Sequence, residues 1–90
     1  MELINGAYRI QNLDVTEICK EFGTPLYVYD ADKIVTQLKN LKNAFSDTDV
    51  KIKYAAKALT NVSILKLLRK HGSGVEVVSI QEAHLALGAG

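Results

Sequence analysis

Between Asp30 and Gly90 the apolar residues change period in a fixed order: helical, alternate, helical, extended, then helical again. No other feature narrows the fold so far. Ile34, Leu38, Leu41 and Phe45 recur at spacings of 4, 3 and 4, while Lys33, Lys39, Asn40 and Lys42 take other faces, which predicts an amphipathic helix opening after Asp30. "SDTD" breaks it. "VKIKYAAK" then alternates as a strand does, with Val50, Ile52, Tyr54 and Ala56 on one face and Lys51, Lys53, Ala55 and Lys57 on the other. Asn61 is placed to cap a further helix, "VSILKLLRKH", whose last turn collects Arg69, Lys70 and His71 where cations suit the helix dipole, and Gly72 ends it. "GVEVVS" reads as a short buried-type strand and "IQEAHLALGAG" as a helix running to Gly90. Strand, helix, strand, helix in sequence calls for a parallel sheet joined by right-handed crossovers.

Upstream, "DVTEICKEFG" reads as a short helix. Asp14 stands at its N-cap with Glu17 three residues later as in a capping box, Val15, Ile18, Cys19 and Phe22 form the apolar side, and Gly23 is the stop. "TPLYVYD" follows as a strand entered through Pro25, the only proline. Cys19 has no second cysteine to pair with and reads as a small core residue, while His71 and His84 are too far apart in sequence for metal-ligand spacing. A formal charge of +1 excludes the charge excess of a nucleic-acid binder, and 48% hydrophobic residues exclude a disordered chain. The N-terminus lacks the basic start and apolar run of a signal peptide, and no apolar stretch approaches the roughly 18 residues that span a bilayer. The expectation is therefore a cytoplasmic protein with neither nucleic-acid nor membrane partners.

Two strand-helix pairs leave strand edges open and one sheet face thinly covered, and a complete (β/α) barrel takes about 250 residues. Ninety residues of this pattern are expected to be the first part of a larger α/β domain. Within it Lys57 has a distinctive place. At about 3.3 Å per residue it lies some 13 Å beyond Lys53, at the carboxyl end of its strand, where parallel α/β folds carry their chemistry. Ala55, Ala56 and Ala58 around it leave room for a bulky planar group. Geometry alone equally allows an exposed strand-end lysine snorkelling to solvent.

"FGTPLYVYD" (Phe22 to Asp30), "YAAKALTN" (Tyr54 to Asn61) and "GSGVEVVSIQEAHLALGAG" (Gly72 to Gly90), in this order and at these distances, resemble the N-terminal part of the diaminopimelate decarboxylase family. These are pyridoxal 5'-phosphate (PLP) decarboxylases with an alanine-racemase-like barrel. The resemblance implies the first βα units of a PLP-binding (β/α)8 TIM-type barrel over residues 31–90. It assigns residues 1–30 to a segment associated with a second, β-rich domain. It also implies decarboxylation of meso-diaminopimelate to L-lysine and CO2 in lysine biosynthesis, by a homodimeric parent in which Lys57 is the Schiff-base lysine. The isolated chain is expected to be inactive.

In the family the strand after that lysine carries "G-x-D-V-x-S", which places an acid near the cofactor. Here Glu76 stands in its place, keeping the charge and adding a methylene. The resemblance makes it a cofactor-binding candidate; the alternative is an ion-pair partner on a strand face. Glu82 matches a further acidic position of the same block, but Ser79 and Glu82 also spell the S-x-x-E capping box, which accounts for both without chemistry. The family's glycine-rich phosphate loop, its ring-stacking histidine, the acid for the pyridine nitrogen and the substrate-binding arginines are expected beyond Gly90. A PLP-binding barrel protein without decarboxylase activity, a piece with only a structural or assembly role, and a related arginine or carboxynorspermidine decarboxylase remain open at this point. "GTPLYVYD" argues against the first.

Overall fold

A computed structural model describes residues 1–90, which divide into two compact units, Met1–Asp32 and Lys33–Gly90. The first unit opens with an antiparallel meander of β1 (Glu2–Ile4), β2 (Ala7–Ile10) and β3 (Leu13–Asp14). Leu3 pairs with Tyr8, and Ile10 with Leu13. Each connection is a two-residue turn with both residues at positive φ, Asn5 at 50° and Gly6 at 78° in the first, Gln11 at 51° and Asn12 at 66° in the second. Such turns match the twist of the strands they join, and Asn-Gly is the pair that adopts them most readily. Arg9 steadies the second by donating from Nη1 to the Asn12 carbonyl at 2.8 Å.

Helix α1 (Val15–Phe22) follows directly, with the expected cap and stop: Asp14 Oδ1 accepts from the Thr16 N–H at 2.7 Å, and Gly23, at φ 83°, donates to the Cys19 carbonyl at 2.8 Å. The reciprocal half of the capping box is not made, because Glu17 pairs with Lys20 at 2.9 Å. Residues 24–30 contain a cis Thr24–Pro25 peptide and, contrary to the sequence expectation, form no strand. None of the five strands pairs with Leu26–Tyr29, and an extended segment without a ladder partner remains irregular. Tyr27 is accordingly 90% exposed.

The second unit contains every buried side chain of the molecule: Leu38, Ala56, Ile64, Leu65 and Leu68. Helix α2 (Ala31–Ala44) supplies Leu38 with Ile34 beside it, and helix α3 (Val62–Lys70) supplies Ile64 and Leu68, against which Ile52, Tyr54 and Leu59 pack. Each fully buried leucine or isoleucine contributes about 1.5–3 kcal/mol. Leu41 and Phe45, expected on the same apolar stripe, are each 46% exposed, so only the first half of that stripe is covered.

Strands β4 (Lys53–Ala55) and β5 (Gly74–Glu76) pair in parallel across α3, with Lys53 opposite Gly74, Tyr54 opposite Val75 and Ala55 opposite Glu76. The parallel pairing agrees with the expected βαβ order; the strand lengths do not. Val50 to Lys57 yields a ladder of three residues, extended by one bond from the Gly74 N–H to the Ile52 carbonyl at 2.9 Å. Beyond Ala55 the chain turns into a 3-10 helix, Ala56–Ala58, because alanine disfavours strands and favours helical backbone.

Both ends of α3 are closed by sequence-local bonds. Asn61 Oδ1 accepts from the Ser63 and Ile64 N–H groups at 3.0 and 3.2 Å. At the other end Gly72, at φ 85°, donates to the Arg69 carbonyl and Ser73 to the Leu68 carbonyl, both at 3.0 Å, the paired bonds of a Schellman motif. Lys42 Nζ from α2 donates to the His71 carbonyl, bringing a cation to the negative end of the α3 dipole. Helix α4 (Ile80–Gly88) completes the unit.

Candidate functional site

The two loops at the carboxyl ends of β4 and β5 lie side by side through the parallel register, and they carry the residues singled out by sequence. Lys57 sits in the 3-10 turn immediately after β4, not within the strand. The tighter rise of that turn, about 2 Å per residue, brings it closer to Lys53 than an extended strand would. Its side chain is exposed and makes no hydrogen bond or ion pair, whereas the backbone on either side is anchored. Ala56 is fully buried, at 0% exposure, beneath the turn. Tyr54, whose ring packs against the Leu38–Ile64–Leu68 cluster, donates its hydroxyl to the Leu59 carbonyl at 2.9 Å. Thr60 donates its hydroxyl to the Ala56 carbonyl, also at 2.9 Å. The result is a free primary amine on a fixed turn, with small Ala55, Ala56 and Ala58 as neighbours in the chain.

Glu76 ends β5 directly opposite Ala55, two residues short of Lys57. It is exposed and forms no ion pair, with Lys57 or with any other cation. Lys57 and Glu76 therefore share one end of the sheet without touching. Glu82 is placed differently. Its Oε2 accepts from the Val78 N–H at 2.7 Å, and Ser79 Oγ accepts from the Glu82 N–H at 3.1 Å. This is the capping box read from the sequence, with the glutamate reaching one residue further back than the cap itself. One carboxylate oxygen and the backbone N–H of Glu82 are thus both tied to the β5–α4 loop, so Glu82 organises the loop.

His71 serves as the C-cap of α3 through its backbone, and His84 is exposed on α4. No three His, Cys, Asp or Glu side chains converge in a way that could hold a metal ion, and no helix is long and apolar enough to cross a membrane. The donor set suits a different kind of group. An amine clear of partners at a strand's carboxyl end, with small side chains around it, can form a covalent bond to an aldehyde, and a carboxylate at the same end can balance positive charge nearby. Tyr54 and Thr60 escaped the sequence reading as part of this arrangement. Their signal was a hydroxyl-bearing residue at an apolar position on either side of the lysine, since a half-buried hydroxyl must find an acceptor.

Residues 31–90 match the family model described as pyridoxal-dependent decarboxylase, pyridoxal binding domain. The chain is 37% identical over 87 residues to diaminopimelate decarboxylase of Bacillus methanolicus, covering 94% of this chain and 20% of that protein. It is 39% identical over 87 residues to diaminopimelate decarboxylase of Methanothermobacter thermautotrophicus, with the same coverage of 94% and 20%. With diaminopimelate decarboxylase of Helicobacter pylori it shares 47% identity over 74 residues, 82% of this chain and 18% of that one. The crystal structure of diaminopimelate decarboxylase from M. jannaschii in complex with L-lysine superposes with a TM-score of 0.92 at 33% identity, over 98% of this chain and 22% of that one. The chain thus spans about a fifth of the length of the curated relatives it matches. Its β4–α3–β5–α4 order corresponds to the start of their pyridoxal-binding TIM-type barrel. With two-thirds of its residues matched by the pyridoxal-binding model, the chain belongs to the pyridoxal-dependent decarboxylases.

Proposed function

We propose that this chain forms the opening of the PLP-binding barrel of a diaminopimelate decarboxylase, an enzyme that releases CO2 from meso-diaminopimelate and leaves L-lysine, in lysine biosynthesis. The observation that carries this reading is the uncommitted Lys57 amine on its anchored turn, within the stretch matched by the pyridoxal-binding model. Lys57 Nζ is the atom that would hold the cofactor covalently. When bound, PLP supplies the electron sink that accepts the pair released as CO2 departs. Ala55, Ala56 and Ala58 leave space next to the amine, and the Glu76 carboxylate places negative charge at the same end of the sheet. The complex of the M. jannaschii relative with L-lysine supports the product, since loss of one carboxylate as CO2 from meso-diaminopimelate leaves lysine.

In the same reading residues 1–30 associate with a second, β-rich domain, residues 31–90 begin the barrel, and the whole protein is a cytoplasmic homodimer. The test is CO2 release by the whole protein carrying this chain, with meso-diaminopimelate, arginine and carboxynorspermidine compared at equal concentration. Turnover of meso-diaminopimelate alone, or by a wide margin, is expected. Preference for either rival overturns the substrate and keeps the cofactor chemistry.

A further inference from the structure

We propose that Tyr54 and Thr60 are positioning residues for Lys57, holding its turn in one conformation through two crossed side-chain-to-backbone bonds. The inference rests on the reading of Lys57 as the cofactor-bearing lysine. Tyr54 reaches forward five residues to the Leu59 carbonyl, and Thr60 reaches back four to the Ala56 carbonyl, each at 2.9 Å. Between the two anchored carbonyl positions only Lys57 and Ala58 are left, and both are exposed.

The two braces draw on different parts of the fold. Tyr54 is rooted in the core by its ring and in the sheet by its place opposite Val75, so its hydroxyl ties the turn to elements that do not move with it. Thr60 immediately precedes Asn61, the cap of α3, and so ties the start of the turn to the start of that helix. A three-residue 3-10 turn has little intrinsic stability, and its alanines offer no side-chain bond that would hold it. A reacting amine displaced by about 1 Å can lose some 100-fold in rate, which gives these two hydroxyls a role beyond packing.

The experiment uses the whole protein carrying this chain, with Tyr54→Phe and Thr60→Val removing one hydroxyl each and Thr60→Ser restoring one. Two quantities are read: hydrogen exchange of the peptide covering residues 54–61, and the rate at which added PLP attaches to Lys57 in cofactor-free protein, followed by borohydride reduction and peptide mapping. Loss of one neutral hydrogen bond is expected to speed exchange in that peptide about 2- to 10-fold and to slow attachment by a similar factor. Exchange in α2 and α3 should stay unchanged, and Thr60→Ser should behave as the unmodified protein. Label on Lys57 with unmoved exchange and rate in Tyr54→Phe and Thr60→Val overturns this inference alone, as does faster exchange spread equally over α2 and α3. Label on another lysine in the unmodified protein overturns the reading of Lys57 and this inference with it.

Discussion

The turn after β4 and the loop after β5 sit at the same end of one parallel pair, yet they use their polar side chains in opposite ways. After β4, Tyr54 and Thr60 bond to the backbone and Lys57 is left without a partner. After β5, Glu82 itself bonds to the backbone, and the free carboxylate is Glu76, at the strand's end. Three ionisable residues that look alike as family matches thus separate physically. Lys57 and Glu76 are available to a ligand; Glu82 is engaged by the Val78 N–H, a charge-assisted bond of the stronger kind.

That contrast can be broken most directly at Lys57. Lys57→Ala in the whole protein is expected to reduce turnover to the limit of detection. The unfolding free energy should change by no more than an exposed substitution does, about 0.5 kcal/mol, because the side chain is exposed. A large loss of stability, measured by thermal unfolding, would make Lys57 structural. Next in size, Glu76→Gln is expected to lower kcat/KM about 10- to 100-fold at unchanged stability, the scale of losing a charge that supports a reactive centre. Unchanged kinetics would return Glu76 to the solvated strand end from which the sequence could not distinguish it.

Smaller effects should fall on stability and not on turnover. Asn61→Ala removes the acceptor for two N–H groups at the start of α3 and is expected to cost about 1–2 kcal/mol in denaturant unfolding. Glu82→Ala is expected to cost about 1 kcal/mol and to leave kcat/KM within a few-fold. Kinetic losses at Glu82 as large as those at Glu76, with stability unchanged, would erase the distinction between the two loops.

The parts legible in the sequence were those governed by local chemistry. Asp14, Asn61 and Ser79 cap the helices they were expected to cap, and Ile52, Tyr54 and Ala56 are more buried than Lys51, Lys53 and Lys57, whereas Val50, expected on the inner face, is exposed and Ala55, expected on the outer one, is half-buried. What failed depended on partners. Leu26–Tyr29 has strand composition, but strand formation needs a neighbour, which composition does not supply. For the same reason Val50–Lys57 pairs over only three residues. The N-terminal meander carries one strong local signal, Asn5-Gly6 between apolar residues, but its strands of two to four residues are too short for alternation to stand out, and its second turn, Gln11-Asn12, lacks the glycine that marks such turns. At the site itself, the lysine could be picked out by its place at a strand end. Its freedom from partners and the two hydroxyls that hold its turn became visible only once the chain had folded back on Leu59 and Ala56.

The most direct test is to reduce the PLP-loaded whole protein with borohydride and map the modified peptide. The account predicts that the label lies on Lys57, on the peptide that carries Tyr54 to Asn61. Label on Lys51 or Lys53, which lie earlier in the chain, before and at the start of β4, would contradict it.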